Sequence, residues 1–127
     1  MAHRSRLAGF IIDCQVDDLA QASRFWSDAL GFPVGDHEEE AGGTEYISLE
    51  GSPSHLYVAV QKVEHPSRVH LDIEADDIDA EAARLEALGA KRIGFVRRWW
   101  VMEAPTGQRF CVVKMHKPEQ GPTPNAW

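Results

Sequence analysis

The stretch RVHLDIEADDIDAEAARLEALGA (residues 68–90) carries the pattern that decides the fold. At its start apolar and polar side chains alternate, which is typical of a strand with one buried face. The acidic pair Asp76 and Asp77 follows, and such residues cap the first amides of a helix. Apolar residues then recur at helical spacing until Gly89, a natural left-handed stop. The stretch therefore predicts a strand followed by an amphipathic helix.

The same unit occurs earlier in the chain. FIIDCQVDDLAQASRFWSDALG (10–31) aligns with VHLDIEADDIDAEAARLEALG (69–89), and this alignment matches Asp13 with Asp72. Both copies have an acidic pair at the helix start and a glycine at the helix end. Self-similarity of this kind indicates a duplicated structural unit.

Strand patterns follow each helix, so each half reads β-α-β-β-β. The expected strands are TEYISLE (44–50) and HLYVAVQKV (55–63) in the first half, with a weaker one between residues 32 and 43, and KRIGFV (91–96), WWVME (99–103) and RFCVVKM (109–115) in the second. We expect a single domain at residues 1–115, with module one at about 7–63 and module two at about 68–115. The tail, residues 116–127, is rich in proline and glycine and is expected to be loose, with Trp127 as its one candidate for docking.

Composition restricts the class of protein. The chain has 127 residues and a formal net charge of −7, and its densest charge run is the acidic DHEEE at 36–40. Nucleic-acid binders normally carry a basic patch, so no nucleic-acid partner is expected. No apolar run approaches the roughly 20 residues that span a bilayer, so no membrane partner is expected either. Cys14 and Cys111 form no C-x-x-C pair, which fits a reducing, cytoplasmic location.

The paired modules, with D-D-L/I before each helix and a P-x-G turn (105–107) before the last strand, resemble the vicinal oxygen chelate superfamily. That superfamily includes glyoxalase I, extradiol dioxygenases, fosfomycin-resistance enzymes and bleomycin-binding resistance proteins. The chain is most similar to its small glyoxalase-like domains. The resemblance implies an α+β fold in which two tandem β-α-β-β-β modules form a curved, cup-like mixed sheet, and it implies a homodimer.

The resemblance also implies four metal-ligand positions, one on each of four strands. The first falls on Ile11, which cannot bind a metal, and the third falls on His70, which can. The fourth, normally a glutamate, is Cys111, and the second falls near Gln61. A catalytic divalent metal needs about three protein ligands and an open position. A Zn, Ni, Mn or Fe site on His70 would therefore need a further carboxylate, from Asp13, Asp72 or Glu74.

Because the implied ligand set is incomplete, the sequence favours a metal-independent protein that binds an aromatic or planar small molecule in its cup. Flat aromatic side chains would stack on such a ligand, and polar ones would fix its polar groups. The expected ligand-binding residues are His70, Trp99, Trp100, Tyr57, Gln61, Cys111, Asp13 and Asp72.

Two alternatives stay open, and with them the question of whether the protein is an enzyme. One is a divalent-metal-dependent lyase, isomerase or dioxygenase with a rearranged ligand set that includes His70. The other is a dimeric regulatory or scaffold module without a ligand. Trp99 and Trp100 are adjacent on a strand, so they face opposite sides, and we expect at least one of them to line the pocket.

Overall fold

The computed structural model describes residues 2–40, 43–52 and 55–127. The chain divides into two compact units. Module one is Gly9–Val69, and module two is His70–Trp127 together with the N-terminal residues through Ala8. Each unit contains one helix of at least ten residues and its own set of strands.

Module one has a mixed sheet with the strand order β2-β3-β4-β1. Its elements are β1 (Arg4–Cys14, of which the part from Gly9 belongs here), α1 (Leu19–Leu30), β2 (Val34–Glu40), β3 (Thr44–Leu49) and β4 (Tyr57–Lys62). β1 pairs with β4 in parallel, and the other pairs are antiparallel. The weakly predicted strand is β2, which contains the acidic DHEEE run and lies at the sheet edge, where charged side chains discourage pairing with other chains.

Module two repeats this plan with the strand order β5-β8-β7-β6. Its elements are β5 (Arg68–Ala75, of which the part from His70 belongs here), α2 (Ile78–Ala87), β6 (Lys91–Val96), β7 (Trp99–Glu103), β8 (Arg109–Lys114) and the short β9 (Asn125–Ala126). β5 pairs with β8 in parallel, while β7 pairs antiparallel with both β6 and β8. The predicted architecture of two β-α-β-β-β modules is confirmed.

The acidic pairs cap the helices as predicted. Asp18 is the N-cap of α1, and its carboxylate accepts a hydrogen bond from the Gln21 amide. Asp77 does the same for α2 through the Ala80 amide. Gly31 ends α1 in the left-handed conformation, with φ of 73°.

Each module has its own hydrophobic core between its helix and one face of its strands. The core of module one consists of Ile12, Cys14, Leu19, Ile47, Leu49 and Val60. The core of module two consists of Ala75, Ala82, Leu85, Met102, Phe110 and Val112. Burial raises the pKa of the Cys14 thiol, so this cysteine acts as a small apolar side chain.

The C-terminal tail is anchored, which corrects the expectation that it is loose. The buried guanidinium of Arg6 donates hydrogen bonds to the backbone carbonyls of Lys117, Gln120 and Pro122. Strand β9 pairs with the start of β1, and the Trp127 indole donates to the Ser5 hydroxyl at 2.8 Å. The predicted docking of Trp127 is confirmed. Sequence patterns missed the anchor because its acceptors are backbone carbonyls, which leave no side-chain signal.

Within the part of the chain that the structure describes, no helix is long and apolar enough to cross a bilayer.

Candidate metal centre

The two faces of the module-two sheet have different environments. Met102, Phe110 and Val112 pack in the core with α2. Side chains alternate along a strand, so the residues between these positions point to the opposite face. We call this second face of β5, β8 and β7 the site face.

Strand registers arrange the site face in three rows. Asp72 pairs with Cys111, which pairs with Val101, and these residues form the middle row. The next positions on the same face lie two residues before and two residues after the middle row along each strand. The strand registers, extended by one residue where they end, pair these positions into two outer rows. One outer row is His70, Arg109 and Glu103, and the other is Glu74, Val113 and Trp99.

Three potential metal ligands come together on this face. The donor atoms of His70, Asp72 and Cys111 all lie within 4.8 Å of one another. The His70 Nε2 and Asp72 Oδ1 atoms are 3.4 Å apart, and both side chains are largely buried. The register explains the grouping, because it sets Asp72 directly beside Cys111 while His70 lies one pleat away on the same face.

Two ion pairs flank the three ligands. The Glu74 carboxylate accepts a hydrogen bond from Arg6 Nε at 2.7 Å, with only 15% of its side chain exposed. At the other end of the face, Arg109 Nε donates to Glu103 at 3.3 Å, and both side chains are about a third exposed. The first pair is held inside the module, whereas the second is accessible to solvent.

The side chains of the adjacent residues Trp99 and Trp100 lie on opposite faces of the module-two sheet. Trp99 lies on the site face. Trp100 packs against the α2 core, and its indole donates to Asp79 at 2.9 Å. The Trp100 ring also contacts Phe95 edge-on, and the Arg92 guanidinium lies over it. The structure therefore places Trp99, but not Trp100, on the same face as His70 and Cys111.

The other expected site residues belong to module one. Asp13 is buried and faces the Arg68 Nε atom at 3.8 Å, and it pairs in register with Gln61. Tyr57 is partly exposed, and its backbone carbonyl lies so close to Gly9 that a side chain at position 9 would clash with it. The Asp13–Gln61 pair repeats the Asp72–Cys111 pair, so Gln61 occupies in module one the position that Cys111 occupies in module two.

Sequence reasoning missed a second group of potential ligands at the edge of module one. His37 Nε2 lies 3.8 Å from a Glu39 oxygen and 3.4 Å from a Glu45 oxygen. Glu39 and Glu45 also line a polar cavity of about 330 Å³. The DHEEE run marked this edge as acidic, but only the β2–β3 register brings Glu45 beside it.

Several proteins of known structure have folds similar to that of this chain. The methylmalonyl-CoA epimerase of Mycobacterium tuberculosis has a similar structure, with a TM-score of 0.64, 19% identity and 87% of each chain covered. A mutant 4-hydroxymandelate synthase from Streptomyces coelicolor gives a TM-score of 0.66 at 19% identity, over 96% of this chain and 41% of that one. An extradiol ring-cleaving dioxygenase from B. fuscum gives 0.54 at 21% identity, over 94% of this chain and 33% of that one.

At these identities the structural similarities establish the fold alone. No curated protein matches the sequence. The glyoxalase-like domain family matches residues 9–113, which is most of the chain. The protein therefore belongs to the glyoxalase-like domain family, within the vicinal oxygen chelate superfamily.

Proposed function

We propose that this protein binds a divalent metal through His70, Asp72 and Cys111 and uses it in lyase or isomerase chemistry on a small oxygen-bearing molecule. The observation that carries the proposal is the grouping of an imidazole nitrogen, a carboxylate oxygen and a thiol sulfur within 4.8 Å. The sequence favoured a metal-independent cup because two family ligand positions lack their usual residues. Asp72, which the family positions do not include, supplies the third donor.

The donor set fits zinc. Zn²⁺ accepts histidine nitrogen, cysteine sulfur and carboxylate oxygen, and its catalytic sites use three protein ligands and leave one position open. Two ligand atoms bound tetrahedrally at 2.0–2.1 Å from zinc would lie about 3.4 Å apart. The His70 Nε2 and Asp72 Oδ1 atoms have this separation, which is longer than the usual charged hydrogen bond.

The same set fits iron-dependent oxygenase chemistry less well. Mononuclear non-haem iron oxygenases typically use two histidines and one carboxylate. Here the group has one histidine, one carboxylate and, in place of the second histidine, a thiol. The donors therefore support a redox-inactive Lewis acid, and with it a lyase or isomerase rather than a dioxygenase.

The residues of the site have separate tasks in this proposal. A bound divalent metal would polarise an oxygen of the substrate. His70 and Asp72 lie two residues apart on β5, and their Nε2 and Oδ1 atoms, 3.4 Å from each other, would both hold the metal. Cys111 Sγ must lose its proton when it becomes a ligand, so metal affinity should rise with pH. Val101, beside Cys111, lines the face with an apolar side chain.

A second candidate is the metal-independent binding of a planar molecule. Trp99 favours it, because this indole lies on the site face and could stack on an aromatic ring. In this candidate His70 and Asp72 would form hydrogen bonds to the ligand instead of binding a metal.

Homodimer formation stays a prediction. It is supported by the exposed apolar side chains of Ile93, Phe95 and Val96 on β6, the edge strand of module two.

Titration with Co²⁺ and Zn²⁺ tests the proposal, using protein purified without a tag or chelator. We expect about one metal per chain and a cobalt–thiolate charge-transfer band that reports Cys111 as a ligand. Cys111→Ala should abolish this band, and both Cys111→Ala and His70→Ala should weaken binding by roughly 100-fold or more.

Gln61→Ala is the matched control, because Gln61 is the register equivalent of Cys111 in module one, and it should leave metal binding unchanged. If the protein binds neither metal, the metal-dependent function is wrong and the metal-independent candidate takes its place. A screen of planar aromatic compounds against wild type and Trp99→Ala would then follow.

A further inference from the structure

We propose that Arg109 is an anion-binding residue, so that the small molecule handled at this site carries an oxyanion, either a carboxylate or a phosphate. This inference rests on the proposed function and names the class of its substrate. Arg109 lies two residues before Cys111 on β8 and therefore on the same face. The register continues to His70 on the neighbouring strand, so the guanidinium belongs to the row that contains a metal ligand.

The charge of the metal centre makes a separate cation necessary for an anionic ligand. Asp72 and a deprotonated Cys111 each bring one negative charge, and His70 binds as a neutral imidazole. Together they cancel the two positive charges of the metal. The loaded centre therefore has little net attraction for an anion.

Arg109 supplies the positive charge in a suitable form. Its Nε donates to Glu103 at 3.3 Å, which limits the orientations of the planar guanidinium. A guanidinium has five N–H donors arranged in a fork that matches a carboxylate or a phosphate. With about a third of its side chain exposed, Arg109 is both held by a partner and accessible to a small molecule.

Arg6, which also reaches this face through its bond to Glu74, is unsuited to the same task. Its side chain is 7% exposed, and its guanidinium bonds to Glu74 and to three tail carbonyls. Arg6 therefore fixes the tail, and Arg109 is the residue placed to select an anion.

The test uses acetate and inorganic phosphate as oxyanion probes and acetamide as a neutral molecule with the shape of acetate. Each is titrated into the Co²⁺-loaded protein while the visible cobalt spectrum is recorded. We expect an oxyanion to bind more tightly than acetamide, and the stronger of the two probes identifies a carboxylate or a phosphate as the preferred group. Arg109→Ala should weaken oxyanion binding by about 10- to 100-fold, the loss of a hydrogen bond to a charged group.

Controls separate this role from a structural one. Arg109→Lys keeps the charge but loses the fork, so it should restore only part of the affinity. Arg92→Ala removes an arginine that packs on Trp100, on the opposite face, and should change nothing. All three variants should bind Co²⁺ as the wild type does. Equal oxyanion affinity of Arg109→Ala and wild type would overturn the inference while leaving the metal site intact.

A second readout keeps the two proposals distinguishable. The Arg109 Nε–H resonance, followed by NMR during the same titrations without metal, reports anion contact even if Co²⁺ does not bind. A shift of this resonance with the oxyanions, and none with acetamide, supports the role of Arg109 whatever the outcome for the metal. If the oxyanions shift neither this resonance nor the cobalt spectrum, Arg109 does not bind anions.

Discussion

The two modules have the same backbone plan but carry different chemistry at equivalent positions. In module one, Asp13 pairs in register with Gln61, and Ile11 precedes it on the same face. In module two, Asp72 pairs with Cys111, and His70 takes the position of Ile11. Among the residues that the structure describes, module two alone therefore combines three potential metal ligands around its aspartate.

The partners of the two aspartates differ accordingly. Asp13 faces the guanidinium of Arg68 at 3.8 Å, whereas Asp72 faces the imidazole of His70 at 3.4 Å. A guanidinium stays protonated and cannot bind a metal, while a neutral imidazole can. The duplicated plan thus preserves strand register and capping, while a few side chains on one face differ between the modules in their capacity to bind a metal.

A second difference lies in the helices. Four residues after the N-cap, α1 has Ala22, which packs against its apolar core, and α2 has Glu81, which is fully buried. Glu81 accepts hydrogen bonds from His3 at 2.8 Å and from Arg84 at 2.8 and 2.9 Å. The Arg84 guanidinium also lies 3.8 Å from the centre of the Trp127 ring. Module two thus uses a polar network around Glu81 to hold both chain ends, whereas the equivalent position of module one is the apolar Ala22.

The largest effect is expected from transferring the ligand set between the modules. Ile11→His with Gln61→Cys gives module one the same residues around Asp13 that module two has around Asp72. The number of metal ions bound per chain should rise from about one to about two. The new site should have a dissociation constant in the micromolar range, which corresponds to a binding free energy of about 8 kcal/mol. Equilibrium dialysis with Co²⁺ measures the number of sites.

Adding Arg68→Ala sharpens this experiment. Arg68 competes with a metal for the Asp13 carboxylate, so the triple variant should bind the second metal more tightly than the double variant. If neither variant gains a site while both remain folded, register equivalence is not sufficient to build the centre.

The next effect concerns the stability that Glu81 provides. Glu81→Ala should lower the free energy of unfolding by about 3–5 kcal/mol, because it leaves His3 and Arg84 without their buried partner. Urea unfolding monitored by tryptophan fluorescence measures the change. Glu86→Ala is the control, since Glu86 pairs with Arg92 on the surface of the same helix and should cost at most about 1 kcal/mol. Equal losses for the two variants would contradict the structural role of the buried pair.

The Glu81 effect should also depend on pH. Burial by itself would raise the pKa of Glu81, but hydrogen bonds from Arg84, His3 and Ser5 bring the pKa below its usual value. The folded state therefore binds this proton less tightly than the unfolded state does. The stabilisation is complete above the unfolded pKa of about 4.3 and is lost as the pH falls through the folded value. The difference between wild type and Glu81→Gln should accordingly shrink in acid, and a constant difference down to strongly acidic pH would argue against it.

The smallest expected effect is the loss of stability when a helix N-cap is removed, and it should be the same in both modules. Asp18→Ala and Asp77→Ala each remove a carboxylate that accepts one amide hydrogen bond, at 3.3 and 3.0 Å. Each should cost about 1 kcal/mol of unfolding free energy. Urea titration of the two variants in parallel measures both losses. A difference between them of more than about 1 kcal/mol would show that the caps are not equivalent.

Local patterns in the sequence were sufficient for the fold. Alternation in residues 69–75, the acidic caps and the glycine stops each depend on near neighbours, and the repeat supplied the same information twice. The exception was β2, because a run of acidic residues has low strand propensity and only pairing with β3 makes it a strand.

The candidate site was only partly predictable. Family position identified His70 and Cys111, and the alternation of β5 placed Asp72 on the same face as His70. The direct pairing of Asp72 with Cys111 depends on the register between β5 and β8, which a helix and two strands separate along the chain. Likewise, strand alternation predicted that the two tryptophans would face opposite sides, but only contacts with α2 decided that Trp100 is the inward one.

The sequence by itself determined the duplicated β-α-β-β-β plan and the caps of both helices, because these are local properties of the chain. Only the tertiary structure decided that Asp72 completes a group of three potential metal ligands, that Arg109 lies on the same face and that Arg6 anchors the tail. Those contacts join residues distant in sequence, and their geometry depends on strand register, which is set by the packing of the whole module.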